Sequence, residues 1–111
     1  RAVALAEATG NKYVMKAVRD LLAPDSKKAV INLKNKGVGP WEAKAVAEAL
    51  KANTSLKVLN IHENYIEQKG AWALGEALKV NTSLESLSIA WNEVFDFGVR
   101  GLAEGLKANG S

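Results

Sequence analysis

The stretch that decides the fold is LKVLNIHENYIEQKGAWALGEALKVNTS, residues 56–83. Its neighbours copy it: residues 84–111 read LESLSIAWNEVFDFGVRGLAEGLKANGS, and residues 28–55 read KAVINLKNKGVGPWEAKAVAEALKANTS. The period is 28 residues, as the spacing of three leucines shows: Leu50, Leu78 and Leu106. Self-similarity at a fixed period of this length indicates a repeat architecture in which each unit buries its apolar face against the next.

Each unit predicts a strand, a loop and a helix. Short runs rich in valine, isoleucine and leucine predict strands at residues 29–33, 58–61 and 86–89. Leucine, alanine and glycine at helical spacing predict helices at 41–51, 69–79 and 97–107. Units placed side by side would stack their strands into a parallel sheet, with the helices on the wider side. We therefore predict an α/β solenoid with parallel strands on the concave side and helices on the convex side.

Residues 1–27 do not hold the 28-residue register. They predict a helix over residues 1–8, stopped by Gly10, and a second helix that Asn11 can cap and Pro24 ends. Terminal units of a solenoid are atypical because they cover an open end of the core. We predict one domain, with an N-terminal helical cap over 1–27 and repeats over 28–55, 56–83 and 84–111. Alternatively, the first helix is a decayed repeat.

The repeat pattern L-x-x-L-x-L-x-x-N-x-[IV]-x-x-x-G resembles the ribonuclease-inhibitor-type leucine-rich repeat. In that family the motif asparagine points inward and bonds to loop backbone, which implies this role for Asn64 and Asn92. The first repeat departs from the pattern with three residues in place of leucine, asparagine and glycine: Lys28, Lys36 and Glu42. The N-x-S/T triplets that begin at Asn53, Asn81 and Asn109 recur with the period, and we interpret them as turns that end the helices.

The segment ALKANTSLKVLNIHENYI, residues 49–66, also resembles the C-terminal repeat domain of tropomodulins, which cap actin pointed ends. Similar repeats occur in NOD-like receptors and in Ran GTPase-activating proteins. The shared motifs are structural, and a fold does not by itself imply a function. The resemblance therefore implies a class of binding module and leaves its partner open.

In a leucine-rich repeat, the strand positions outside the motif face the concave surface. Here they form four columns across the repeats: Val30–Val58–Ser86, Asn32–Asn60–Ser88, Lys34–His62–Ala90 and Asn35–Glu63–Trp91. A tryptophan beside histidine, glutamate and asparagine is typical of a protein-binding hot spot. We predict that the binding residues are Trp91, His62, Glu63, Asn60 and Lys34. The alternative is that Trp91 packs on Glu63 or its neighbours.

The remaining aromatic residues are expected to serve packing. Trp41 and Trp72 lie near helix starts on the predicted convex side, where they would pack between repeats. Tyr65, Phe95 and Phe97 lie in the loops between strand and helix, where the same role is expected.

Catalytic and metal chemistry find little support in the sequence. The chain has no cysteine, and its one histidine, His62, is not part of an H-E-x-x-H motif because position 66 is isoleucine. Gly37-x-Gly39 lacks the third glycine of a phosphate loop, so we interpret it as a turn. We predict no enzyme activity, no cofactor and no metal.

The bulk properties restrict the partners. The net charge of +3 is too small to imply nucleic acid, although residues 1–55 carry +5 and residues 56–111 carry −2. No apolar run approaches the roughly 18 residues of a membrane span, and no signal peptide is recognised, so we expect a cytoplasmic protein that binds neither nucleic acid nor membrane.

The main functional prediction is a protein-binding module that uses its concave sheet. One alternative is a tropomodulin-like domain that caps actin pointed ends, and another is an engineered or excised repeat scaffold without a partner. No polar cap follows the third repeat, and solenoids generally need both ends covered. We therefore expect either a fragment of a longer array or self-association through that open C-terminal edge.

Overall fold

The computed structural model describes residues 1–92, 103, 105 and 106. Within them the chain forms helices and strands in the following order: α1 (Ala2–Thr9), α2 (Lys12–Leu22), β1 (Val30–Asn32), α3 (Pro40–Ala52), β2 (Val58–Asn60), α4 (Glu67–Leu78) and β3 (Ser86–Ser88). The helix predicted at 97–107 lies almost wholly outside the described residues. The observed elements confirm the predicted α/β class.

The three strands form a parallel sheet in the order β1-β2-β3. Val30 pairs with Val58, and Val58 pairs with Ser86, so the strand register follows the 28-residue period. Each strand is three residues long, shorter than predicted. At the ends of β1 and β2 the side chains of Asn32 and Asn60 accept hydrogen bonds from the backbone N–H groups two residues on.

Helix boundaries follow their capping residues. Gly10 ends α1 with φ at 71°, a conformation that favours glycine. The Asn11 side chain accepts hydrogen bonds from the backbone N–H groups of Tyr13 and Val14 and so caps α2, as predicted. Pro40 occupies the first turn of α3, where its missing N–H has no partner to lose.

The core lies between the sheet and the helices. The first two strands turn apolar residues inward, and one face of each of α3 and α4 meets them. The inward residues of these helices are Ala45, Val46, Ala49, Leu50, Leu74, Ala77 and Leu78, which are buried, and Ala73, which is half-buried. Burying a leucine-sized side chain stabilises the fold by about 1.5–3 kcal/mol. The larger buried side chains include Ile31, Leu33, Val38, Val46, Leu50, Leu56, Leu59, Ile61, Ile66, Leu74 and Leu78.

The motif glycine Gly70 lies at a close contact between α3 and α4. A Cβ atom on Gly70 would lie 2.8 Å from the Cβ of Ile66 and 3.0 Å from the Cβ of Ala43. Only a residue without a side chain fits this contact between neighbouring repeats. The motif glycine is therefore a packing residue.

The two motif asparagines bond to loop backbone, as the family resemblance implies. The Asn64 Oδ1 atom accepts from the N–H groups of Lys36 and Val38, and its Nδ2 group donates to the Leu33 carbonyl. Asn92 repeats the arrangement, with its Nδ2 group donating to the Ile61 carbonyl at 2.6 Å. These side chains pair backbone groups that would otherwise lack partners in the loops.

A second pair of buried asparagines closes the helix-ending turns. Asn53 donates to the Leu21 carbonyl and Asn81 to the Leu50 carbonyl, each reaching back one unit along the chain. Both side-chain oxygens accept from the N–H groups two and three residues on. The prediction that these triplets form turns is confirmed for both residues; Asn109 lies outside the described residues.

The N-terminal helices complete the packing on the first repeat. Buried residues of α1 and α2, including Ala6, Val14 and Val18, join the same core as α3. The Asn11 Nδ2 group donates to the Lys36 and Gly37 carbonyls, and so ties the start of α2 to the loop after β1. These contacts cover the first repeat, as expected of an N-terminal cap. The boundary of that cap at residue 27 stays a prediction.

Candidate functional site

The candidate site is the solvent side of the sheet, which we call the strand face. The inward side of β1 and β2 is buried and that of β3 is half-buried, while the other side of the sheet presents the four predicted columns. None of the twelve column residues is buried: each is half-buried or exposed. The strand face comprises Val30, Asn32, Lys34, Asn35, Val58, Asn60, His62, Glu63, Ser86, Ser88, Ala90 and Trp91.

Backbone hydrogen bonds hold the columns in register beyond the ends of the strands. The N–H of Asn35 donates to the His62 carbonyl at 3.0 Å, and the N–H of Glu63 donates to the Ala90 carbonyl at 2.9 Å. Together with the strand pairing, these bonds bring all five predicted binding residues onto one continuous surface. Their presence on the strand face follows from the structure, while their role in binding stays a prediction.

The polar side chains of the strand face are partly fixed by the backbone. The Asn60 Oδ1 atom accepts from the N–H of His62 at 2.9 Å, and Asn32 makes the same turn with Lys34. These bonds hold the asparagine side chains in place before any partner arrives. A pre-ordered side chain loses less conformational entropy on binding.

The last column has an unusual backbone. Asn35, Glu63 and Trp91 have φ angles of 51°, 57° and 61°, in the left-handed region that favours glycine. Each such residue costs roughly 1 kcal/mol relative to an ordinary conformation. Because the three residues stand 28 positions apart, this conformation belongs to the turn that follows each strand, whichever side chain occupies the position.

The ion pair on the strand face is weak. Lys34 Nζ lies 3.9 Å from Glu63 Oε1, and both side chains are about half exposed. An exposed pair at this distance contributes at most about 0.5 kcal/mol. Both charges therefore remain available to a partner.

Trp91 is the most prominent residue of the strand face. Its side chain is 78% exposed, which contradicts the alternative that it packs on Glu63 or its neighbours. Val30, at the other end of the sheet, is also exposed. Exposed apolar side chains at both ends, with polar groups between them, suit a protein partner better than a small ligand.

The site offers no evident reaction chemistry. Within the part of the chain that the structure describes, no three His, Cys, Asp or Glu side chains come close enough to hold a metal ion. His62 lies half-buried between Lys34 and Ala90 in its column. The arrangement can recognise a surface by contact, hydrogen bonding and charge.

One aromatic residue of the helices, Trp41, is more exposed than expected. Trp41 was expected to pack between repeats, but its side chain is 58% exposed. The prediction for Trp41 is therefore wrong: its side chain lies at the edge of a solvent-open hollow between α3 and α4. Trp72 is half-buried. The Tyr65 ring lies against Gly39 of the preceding repeat, but the residue is 48% exposed, so the predicted packing holds for only one side of it. Phe95 and Phe97 lie outside the described residues.

The described residues contain no helix that is long and apolar enough to cross a membrane. No family model matches the chain, and no curated protein matches it. Among solved structures, the chain is similar to one titled actin-binding site 2 of leiomodin-1, with a TM-score of 0.73 at 20% identity. The likeness covers 88% of this chain and 55% of that one, so this chain spans little more than half of its neighbour's length.

The likeness defines the class of fold. The molecule is an α/β protein with a leucine-rich-repeat-like arrangement of parallel strands and helices. The neighbouring structure comes from leiomodin-1, and the narrower ribonuclease-inhibitor type stays a prediction.

Proposed function

We propose that the chain is a cytoskeletal module that binds actin through its strand face. One observation carries the proposal: the fold likeness to a structure titled as an actin-binding site, over 88% of this chain. The resemblance of residues 49–66 to the tropomodulin repeat domain, which caps actin, is consistent with this partner but rests on structural motifs. The fold likeness favours the actin alternative over a module of unspecified partner.

The proposed mechanism is recognition by a pre-formed surface. The repeats would stack as a solenoid, with the strand face on its concave side. Trp91 would be the anchor, since a large exposed aromatic residue that becomes buried on binding typically dominates the binding energy. Lys34, Asn60, His62 and Glu63 would supply charge and hydrogen bonds around it. In this proposal the chain is not an enzyme, needs no cofactor and works in the cytoplasm.

Co-sedimentation with filamentous actin, together with an anisotropy titration against monomeric actin, tests the proposal. We expect the wild-type chain to bind at least one form, and Trp91→Ala to weaken that binding by about tenfold or more. Trp41→Ala is the matched control, because it removes another exposed tryptophan from the helix side. Absence of binding to both forms would contradict the proposal, as would equal binding by the Trp91→Ala protein.

A second candidate is a strand-face module with a partner other than actin. The 78% exposure of Trp91 favours it, because that exposure is independent of any likeness to actin-binding proteins. Affinity capture from a eukaryotic lysate, with wild type beside Trp91→Ala, tests this candidate. A protein other than actin that is captured by wild type and lost in the variant would support it. Capture of nothing would favour the scaffold without a partner.

A further inference from the structure

A groove between α3 and α4, on the side of these helices turned away from the core, is independent of the strand face. We infer that this groove binds an acidic peptide segment that carries a bulky apolar side chain. The inference does not rest on actin binding.

The shape of the groove follows from small residues between large ones. The helices touch at Gly70, near their N-terminal ends, and further along they leave a hollow of about 330 Å³. Ala47 and Ala73 line it, so no large side chain fills the space, and Trp41 and Trp72 provide aromatic surface. A hollow of this size is within the range that holds a bulky side chain.

The 28-residue offset distributes the aromatic and cationic residues over both helices. It makes Trp41 equivalent to Lys69, and Lys44 equivalent to Trp72, so each helix contributes one tryptophan and one lysine in exchanged positions. Lys44 Nζ also lies 5.4 Å from the centre of the Trp41 ring. An apolar group entering the groove would therefore meet aromatic surface with an ammonium group nearby on either helix.

The charges in the groove select an acidic occupant. The Glu48 carboxylate lies 3.4 Å from Lys51 and 3.8 Å from Arg1, and the Glu76 carboxylate lies 2.9 Å from Lys79. Both carboxylates in the groove are thus already paired.

Two further lysines that line the groove are not paired with a carboxylate in the described part of the chain. Within residues 1–92, Lys44 and Lys69 make no ion pair with a carboxylate. The uncompensated charge of the groove is therefore positive, and it complements carboxylates that flank an apolar side chain.

The apolar lining decides between acidic ligands. A free phosphate group would use the two lysines and leave the alanine and tryptophan surface exposed to water. An amphipathic acidic segment uses both, since its apolar side chain would cover Ala47 and Ala73 while its carboxylates reach Lys44 and Lys69. This combination of an apolar pocket and a charged rim is typical of peptide-binding grooves.

The test uses a fluorescein-labelled peptide in which one phenylalanine and one leucine are flanked on both sides by aspartates and glutamates. One control peptide has every carboxylate replaced by its amide, and another has the two apolar residues replaced by serine. Anisotropy titrations would compare wild type, Trp41→Ser, the double variant Lys44→Glu/Lys69→Glu, and Trp91→Ser as the strand-face control. Circular dichroism would check that each variant folds.

We expect the acidic apolar peptide to bind wild type saturably. Either control peptide should bind wild type about tenfold or more weakly, and either groove variant should bind the acidic apolar peptide about tenfold or more weakly. Trp91→Ser should change the dissociation constant of that peptide by less than about twofold. The inference is overturned if the peptide does not bind, if the amide peptide binds equally well, or if the groove variants bind like wild type. Sedimentation of the chain alone adds one more check. A dimer that Trp41→Ser converts to a monomer would assign the groove to a second copy instead. Failure here leaves the actin proposal untouched, because the two surfaces share no residue.

Discussion

The buried asparagines and the strand-face column that ends in Trp91 belong to the same repeats, but the residue type is kept from repeat to repeat only in the buried set. Asn53 and Asn81 are the same residue, 28 positions apart, and they make the same hydrogen bonds. In the column, Asn35, Glu63 and Trp91 share one backbone conformation but have different side chains. The period thus constrains the interior side chains and leaves the solvent side free to vary. We therefore expect the residues that recognise a partner to be among the variable side chains of the strand face.

The largest expected effect comes from breaking an interior asparagine. Asn81→Ala would remove the side-chain hydrogen bonds to the Leu50 and Asn53 carbonyls and from the Ser83 and Leu84 N–H groups. We expect the free energy of unfolding to fall by about 3 kcal/mol, because several buried polar groups lose a hydrogen bond at once.

Urea unfolding measures this change, with Asn60→Ala as the matched variant on the strand face. Asn60 accepts one backbone hydrogen bond at a half-buried position, so its loss should be below about 1 kcal/mol. Equal losses for the two variants would remove the distinction between interior and surface asparagines.

A smaller loss is expected where neighbouring helices touch. Gly70→Ala would push a methyl group against Ile66 and Ala43, at a cost of about 1–3 kcal/mol for overpacking. Gly10→Ala is the control for backbone conformation, because its methyl group would meet no atom within 4 Å while its φ is positive. It should cost about 1 kcal/mol. Thermal unfolding would separate the two, and an unchanged Gly70→Ala midpoint would contradict the close contact.

The strand face predicts a change of the opposite sign. Glu63→Gly would relieve the left-handed backbone, and it would lose only a weak ion pair with Lys34. We expect the free energy of unfolding to rise by about 0.5 kcal/mol, since the greater freedom of glycine in the unfolded chain offsets part of the relief. The same variant should bind actin more weakly. A more stable protein with full binding would mean that Glu63 has no part in recognition.

The smallest effects on stability are expected at the two exposed tryptophans. Trp91→Ala and Trp41→Ala should each change the free energy of unfolding by less than about 0.5 kcal/mol, because both side chains are mostly in water. Urea unfolding of both variants provides the check. A large loss for either would show that the residue serves packing, and would remove it from its proposed surface.

The repeating part of the structure could be read from the sequence. Strand order and register follow from the 28-residue period, and the inward asparagines follow from the motif resemblance at Asn64 and Asn92. These features are predictable because one set of contacts is used several times.

Other features of the structure could not be predicted from the 28-residue period. Asn11 reaches the Lys36 and Gly37 carbonyls from another part of the chain, and no spacing indicates that contact. The left-handed backbone does recur with the period, at Asn35, Glu63 and Trp91, but only asparagine among these residue types favours it, so Glu63 and Trp91 carry no signal of their own. The exposure of Trp41 depends on what α4 places beside it, although comparing positions 28 residues apart would have revealed the exchange of tryptophan and lysine.

The most direct test of the central claim is an NMR titration of the isotope-labelled chain with monomeric actin. We expect actin to shift or broaden the backbone signals of the strand face first. The strongest effects should be at Asn60, His62, Glu63 and Trp91. Signals from the α3–α4 groove, such as those of Lys44 and Ala73, should stay unchanged. Perturbation confined to the groove, or no perturbation at all, would contradict the claim that the strand face binds actin.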